Sequence, residues 1–145
     1  MPSARSEVVV DVPPDRFWDV LVDWERYPEF LPELKEIHVH VAEHHRYEVS
    51  YVVSLIKQIR YRLRFRAEPA RALTWEMAES NLLTKNSGAW RLVPEGPDGA
   101  RTRASYEVDI EVGAYVPRAI LTKLVTVSLP RMLAQFKQRA EVTSR

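Results

Sequence analysis

Three sets of residues in this chain have side chains that could do chemistry, and their spacing says what kind. Four histidines crowd into residues 38–45, as His38-x-His40 and the adjacent pair His44-His45. An H-x-H pair puts two imidazoles on one side of a strand, which begins a zinc site without completing it, because structural zinc takes four ligands. The chain has no cysteine, and no acidic residue is obviously placed to supply a third ligand. No metal and no other cofactor is expected, and a solvated strand face followed by a turn accounts for all four histidines. The missing thiol also excludes thiol catalysis and disulfides, and no Ser-His-Asp set is apparent.

The second set is the stretch IRYRLRFRA at 59–67, where Arg60, Arg62, Arg64 and Arg66 recur at every second position. On a strand they would span roughly 20 Å and could track phosphates. Yet 21 Lys+Arg face 20 Asp+Glu, for a formal net charge of +1, whereas proteins that work through phosphate contacts are usually strongly basic. Glu48 and Glu76 fall on the same face of the neighbouring strands, where cross-strand pairing would partly neutralise the stripe. A nucleic-acid or ribosome partner is therefore not the expected one. The third set is tyrosine, of which the chain has six.

The elements that must position these residues follow from periodicity. EVVVDV (7–12) reads as a strand stopped by Pro13-Pro14. PPDRFWDVLVDWERY then carries Phe17, Val20, Leu21 and Trp24 at helical spacing, with Pro14 and Asp15 suited to a helix start. Pro28 and Pro32 break the next stretch into a short helical turn and a loop. From residue 37 the period becomes two: Ile37, Val39, Val41; Tyr47, Val49, Tyr51, Val53; Tyr61, Leu63, Phe65; Leu73, Trp75, Met77; Trp90, Leu92; and Tyr106, Val108, Ile110, Val112. Such segments joined by turns imply an antiparallel sheet with one wet and one covered face. The end of the chain returns to helical spacing at Val116, Ile120, Leu124, Val127, Leu129, Met132, Leu133, Phe136 and Ala140. Pro130 predicts a kink or break there, with Ser128 as a new cap. With 46% hydrophobic residues, the 145 residues are expected to form one α+β domain over 1–145, the long helix lying on the covered face. MPSARSEVVV lacks the apolar core of a signal peptide and no apolar run is long enough to span a membrane, so a cytoplasmic, soluble domain is expected.

This order, together with D-x-x-x-Y-P-E-F-L-P from Asp23 to Pro32, G-x-W-x-L at Gly88, Trp90 and Leu92, and LPRMLAQFKQRAE at the end, resembles the START-like superfamily, in its polyketide cyclase/dehydrase and coenzyme-Q-binding branch. The resemblance implies the helix-grip fold: a curved antiparallel sheet of about seven strands wrapped around a long C-terminal helix, with two short helices after the first strand and an elongated cavity between sheet and helix. It also implies a hydrophobic or aromatic ligand such as a lipid, a polyprenyl quinone or a polyketide.

With the faces sorted, the residues expected to line the cavity are Tyr47, Tyr51, Tyr61, Leu63, Phe65, Trp75, Met77, Trp90, Tyr106 and Val108 from the strands, and Ile120 and Leu124 from the helix. Each buried tyrosine hydroxyl needs a partner, so several of them on one concave face suggest water or ligand inside. Turns at one end of the sheet are polar; those at the other carry Leu55, Ile56, Leu82, Leu83, Tyr115 and Val116, read as a cavity mouth that gates the ligand or touches a membrane surface. For catalysis the equipment is thin. An unperturbed phenol titrates near ~10, and the strand carboxylates of 101–112 point outward. Thr122, Lys123 or Thr126 would have to rotate inward to help. Ligand binding or transport is the leading expectation, a polyketide aromatase/cyclase the alternative, and the ribosome-associated function of one branch of the family the least expected.

Overall fold

A computed structural model describes residues 3–55 and 57–143. The chain forms β1 (Ser3–Val10), α1 (Pro14–Leu21), a 3-10 helix (Trp24–Glu29), and then β2 (Leu34–Glu43), β3 (Arg46–Ser54), β4 (Gln58–Glu68), β5 (Ala72–Ser80), β6 (Leu83–Glu95) and β7 (Arg101–Val112). The helical end follows as α2 (Arg118–Lys123), a π-helical turn (Leu124–Ser128) and α3 (Leu129–Thr143). Strands β2 to β7 form an antiparallel meander, and β1 pairs with β7, giving the order β1-β7-β6-β5-β4-β3-β2. The two short helices therefore carry the chain from one edge of the sheet to the other. This is the helix-grip arrangement.

Local chemistry explains the joints. The β2–β3 hairpin turns on His44 and His45, both at positive φ (52° and 61°), the geometry of a tight two-residue hairpin. The histidine pair is thus a turn tip. Helix α1 stops at Leu21, short of the Trp24 that helical spacing suggested, and the Tyr27 hydroxyl donates to the buried Leu21 carbonyl. That bond satisfies one of the carbonyls a helix end leaves open. Strand β1 begins four residues earlier than its β-branched run, because pairing with β7 extends from Ser3↔Asp109 to Val10↔Thr102.

The core lies between the concave face and the helical end. Val10, Phe17, Leu21, Val49, Ile59, Leu73, Ile120 and Phe136 are essentially inaccessible. Phe136 is the main point of grip: its ring meets Tyr27 at 5.1 Å, Phe30 at 5.2 Å and Trp90 at 5.5 Å, all edge to face. Such pairs add to the apolar burial of each ring. Helix α3 packs on β1 and α1. The strap is completed where Lys137 Nζ donates to the Val9 carbonyl (2.8 Å) and the Asp11 amide donates to Glu141 Oε2 (2.8 Å). Because α3 leans to that side, the concave face of β3 and β4 is not closed by it.

The outer face is wet, and its charges are paired. Glu48 meets Arg62 at 2.8 Å and Arg64 at 3.8 Å, and Arg64 faces Glu76 in the β4–β5 register. Lys85–Asp109, Arg91–Glu107 and Arg103–Glu95 continue the pattern. Pro130 does not break the helix and Ser128 does not cap a new one. The helix runs on from 118 to 143 through the π turn, in which the Leu129 amide donates to the Leu124 carbonyl five residues back. A proline ring would clash with the carbonyl four residues earlier in an α-helix, and a widened turn relieves that clash.

Candidate functional site: a tyrosine-lined cavity

Between the sheet and the helical end lies a cavity of about 150 Å³. Its sheet wall is Tyr51, Val53, Tyr61, Leu63, Phe65, Leu73, Trp75, Asn86, Trp90 and Tyr106; its helix wall is Leu124, Ser128, Leu129, Arg131, Met132, Gln135 and Phe136; and Tyr27, Leu31, Glu33 and Leu34 close the side between them. The period-two alternation puts the sheet residues there. Asn86 joins them because a bulge between Leu83 and Lys85 resets the phase of β6, so that Asn86, Gly88, Trp90 and Leu92 share the concave face.

The aromatic residues are ordered. Tyr51 and Tyr61 stack at 4.9 Å with ring planes 21° apart. Tyr106 sits between Trp75 at 5.4 Å and Trp90 at 4.9 Å. Trp75 can lie close to the sheet because its partner in register is Gly88; a Cβ there would stand 2.7 Å from the Trp75 ring and 2.2 Å from the Glu107 carbonyl oxygen. The Gly-x-Trp pattern is therefore a packing requirement of the cavity wall.

Away from the rim, the polar groups of the lining are neutral. Burial pushes the phenols of Tyr27, Tyr51, Tyr61 and Tyr106 up from their ordinary value. In Tyr27, Tyr51 and Tyr106 the closeness of neighbouring phenols adds to the effect, since two phenolates would repel one another. These hydroxyls stay protonated through the physiological range and act as hydrogen-bonding groups. Asn86 Oδ1 accepts from Trp75 Nε1 at 3.1 Å; an indole N–H can only donate, which fixes the amide orientation. Ser128 Oγ is buried without a partner among the described residues. The ionisable residues in the lining are Glu33 and Arg131 besides the phenols, and they pair with each other at 3.3 Å where side-chain exposure rises to 26% and 52%. That pair, flanked by half-buried Leu31, Met132 and Gln135, marks the rim.

Of the twelve residues expected in the cavity, Tyr51, Tyr61, Leu63, Phe65, Trp75, Trp90, Tyr106 and Leu124 border it. Tyr47 turns instead onto Trp24 (4.5 Å), Met77 is half-buried against the core, and Val108 and Ile120 are buried away from the lining. None of the described residues read as a mouth borders it either: Leu83 is core, Leu55, Leu82 and Val116 pack against the core, and Tyr115 is fully exposed. Ile56 lies outside the described residues. Thr122 and Thr126 are exposed and Lys123 half-buried, and none of the three reaches the cavity. The 31–34 loop, Asn86 and the helix residues from Ser128 onward were missed. Met132 and Phe136 were legible from the helical stripe; Asn86 and Ser128 carried no apolar signal.

Of the four histidines, His44 and His45 form the β2–β3 turn, and His38 and His40 lie on β2, away from the cavity. The rings of His38 and His40 meet edge to face at 4.5 Å, and His40 Nε2 meets Ser50 Oγ at 2.6 Å. Lost hydration and then the nearby Arg62 charge lower the His40 imidazole from its ordinary value. Among the described residues no group of three His, Cys, Asp or Glu could hold a metal ion, and no helix is long and apolar enough to cross a membrane.

Comparison with known proteins places this architecture. A protein of Thermus thermophilus superposes with a TM-score of 0.87 at 21% identity, covering 99% of this chain and 100% of that one. The Zhui aromatase/cyclase of a Streptomyces species gives 0.85 at 19% identity over 99% and 96%. A START superfamily protein of Mycobacterium smegmatis gives 0.81 at 20% over 97% and 98%. At these identities the likeness is one of fold. Among curated proteins no match is found. The profile of the family described as polyketide cyclase/dehydrase and lipid transport matches residues 10–137, and the chain belongs to that family.

Proposed function

We propose that the protein binds a neutral, aromatic, hydrophobic small molecule in the cavity between sheet and helix, and carries it without turning it over. The observation that supports this most is the lining itself: aromatic walls with protonated phenols, and no histidine or unpaired carboxylate facing inward among the described residues. Proton transfer at neutral pH needs a group that titrates there, whereas recognition needs only apolar area and a few fixed hydrogen-bonding groups. The volume of about 150 Å³ matches what an apolar cavity needs to take a benzene-sized ring and falls below the roughly 300–1,000 Å³ of ordinary ligand sites. A ring fills the chamber as it stands, and a larger ligand, a polyprenyl quinone or polycyclic polyketide, extends past the Glu33–Arg131 rim. Native mass spectrometry of the purified protein, followed by organic extraction, is expected to release a hydrophobic molecule. Protein that stays empty and shows no mass shift with a panel of quinones and lipids overturns the reading.

One observation favours a second reading, an aromatase/cyclase. Convergent protonated hydroxyls are the donors that would stabilise an enolate oxygen formed in a poly-ketone chain. Ring closure of a poly-ketone mimic by the protein, lost in Tyr106→Phe, would support it; an unchanged mimic with tight binding rejects it.

A further inference from the structure

Resting on the binding reading above, we infer that Ser128 and Asn86 form a recognition subsite for a ring-borne neutral carbonyl oxygen. Ser128 is about nine-tenths buried, borders the cavity and has no partner for its hydroxyl among the described residues. Hydroxyls elsewhere on the same helical end satisfy themselves locally: Thr126 donates to the Thr122 carbonyl at 2.7 Å and Thr143 to the Arg139 carbonyl at 2.8 Å. Ser128 makes no such bond: it sits in the π turn, where the Leu129 amide, not its own, reaches the Leu124 carbonyl. Its hydroxyl is left buried at the cavity wall, where leaving it unmet costs stability.

Asn86, on the sheet wall of the same cavity, is half-committed. Its oxygen is committed to Trp75 Nε1, so its two N–H donors are left, and no bond from them to the described residues exists. The phenols of Tyr61 and Tyr106 are also unbonded among the described residues, and like the Ser128 hydroxyl they can donate or accept, whereas the free Asn86 amide N–H groups can only donate. An acceptor oxygen is the one ligand group that all of them can meet. Charge is rejected, because the remaining ionisable lining groups, Glu33 and Arg131, neutralise each other at the rim. An ionised carboxylate inside would lose its hydration without gaining a counter-charge.

The test compares three ligands of nearly equal shape on the full chain: acetophenone, its carbon isostere α-methylstyrene, and benzoate. Binding is followed through the Trp75 indole N–H resonance. The expected result is that acetophenone binds about 5- to 10-fold more tightly than α-methylstyrene, and benzoate more than about 10-fold more weakly than acetophenone. Ser128→Ala is expected to lower acetophenone affinity about 3- to 10-fold and leave α-methylstyrene affinity unchanged, which separates the subsite from any general damage. Equal affinity for ketone and alkene, tight benzoate binding, or an equal loss for both neutral ligands in Ser128→Ala overturns the subsite while leaving the cavity a ligand site. Binding by none of the three overturns the binding reading itself and the subsite with it.

Discussion

Replacing Gly88 with alanine tests whether the cavity wall is as tightly specified as its contacts indicate. Glycine inside a strand costs roughly 0.5–1 kcal/mol in chain entropy relative to alanine, so a neutral site would be stabilised by the change. Here the added methyl would lie 2.2 Å from the Glu107 carbonyl oxygen, 2.7 Å from the Trp75 ring and 3.0 Å from the Val108 Cα. Two of these three are backbone atoms of β7, held in a continuous ladder from Lys85↔Glu111 to Glu95↔Arg101. Moving Trp75 relieves only its own contact; the Glu107 carbonyl can be cleared only by shifting β6 against β7, which strains their shared bonds. Overpacking of this kind costs about 1–3 kcal/mol, and the gain in entropy offsets only part of it. For a chain of this size a loss of about 2 kcal/mol lowers Tm by roughly 4–8 °C. Trp75 also holds Asn86, so its displacement disturbs the polar wall and ligand affinity is expected to fall even below the melting range. Thermal circular dichroism and an acetophenone titration measure both. A Tm equal to or above that of the parent would refute the reasoning, because it would mean that both the β6–β7 backbone and Trp75 give way freely and Gly88 is not the floor beneath the ring.

Three further outcomes follow from the same contacts. Arg131→Ala removes a half-exposed ion pair of a kind worth about 0–1 kcal/mol, so stability is expected to change little while exchange of bound acetophenone, read from NMR line broadening, becomes several-fold faster; unaltered exchange places the opening elsewhere. The phenols of Tyr27, Tyr51, Tyr61 and Tyr106 are raised when folded, so their contribution to stability is complete below the unfolded value near ~10 and is lost as pH rises beyond it. Their tyrosinate absorbance should appear together with loss of near-ultraviolet dichroism at alkaline pH, and ionisation within a still-folded chain contradicts the burial argument. Pro130→Ala restores an N–H and removes the ring, so the π turn is expected to revert to α-helix, raising Tm and weakening the preference for acetophenone over α-methylstyrene; an unchanged preference separates the π turn from Ser128.

The fold was readable because its two periodicities are strong and consistent. Alternation from Ile37 to Val112 sorts wet from covered faces, and a one-residue slip would bury Arg60, Arg62, Arg64 and Arg66, so the register is pinned by cost. The outward set is observed in that arrangement, with Glu48 against Arg62 and Arg64. Boundaries were less legible. Helical spacing continues to Trp24, but the helix ends at Leu21, because Tyr27 offers that carbonyl a partner from six residues away and the chain must turn under the sheet.

The cavity was half legible, for a physical reason. Facing inward is a property of one strand's alternation, whereas bordering a void depends on where the helix fails to cover the sheet. Tyr47 and Tyr51 share a face on β3, yet Trp24 occupies the space beside Tyr47 and leaves Tyr51 to the cavity. Polar members leave even less trace. Asn86 reads as a loop residue until the bulge in β6 shifts its phase, and Ser128 reads as a cap because proline two residues later signals a break. The helix instead continues through the proline by way of a π turn, and Ser128, carried on that turn, borders the cavity with its hydroxyl unpartnered among the described residues. A feature that looks like an interruption in the sequence is, in three dimensions, part of the cavity wall.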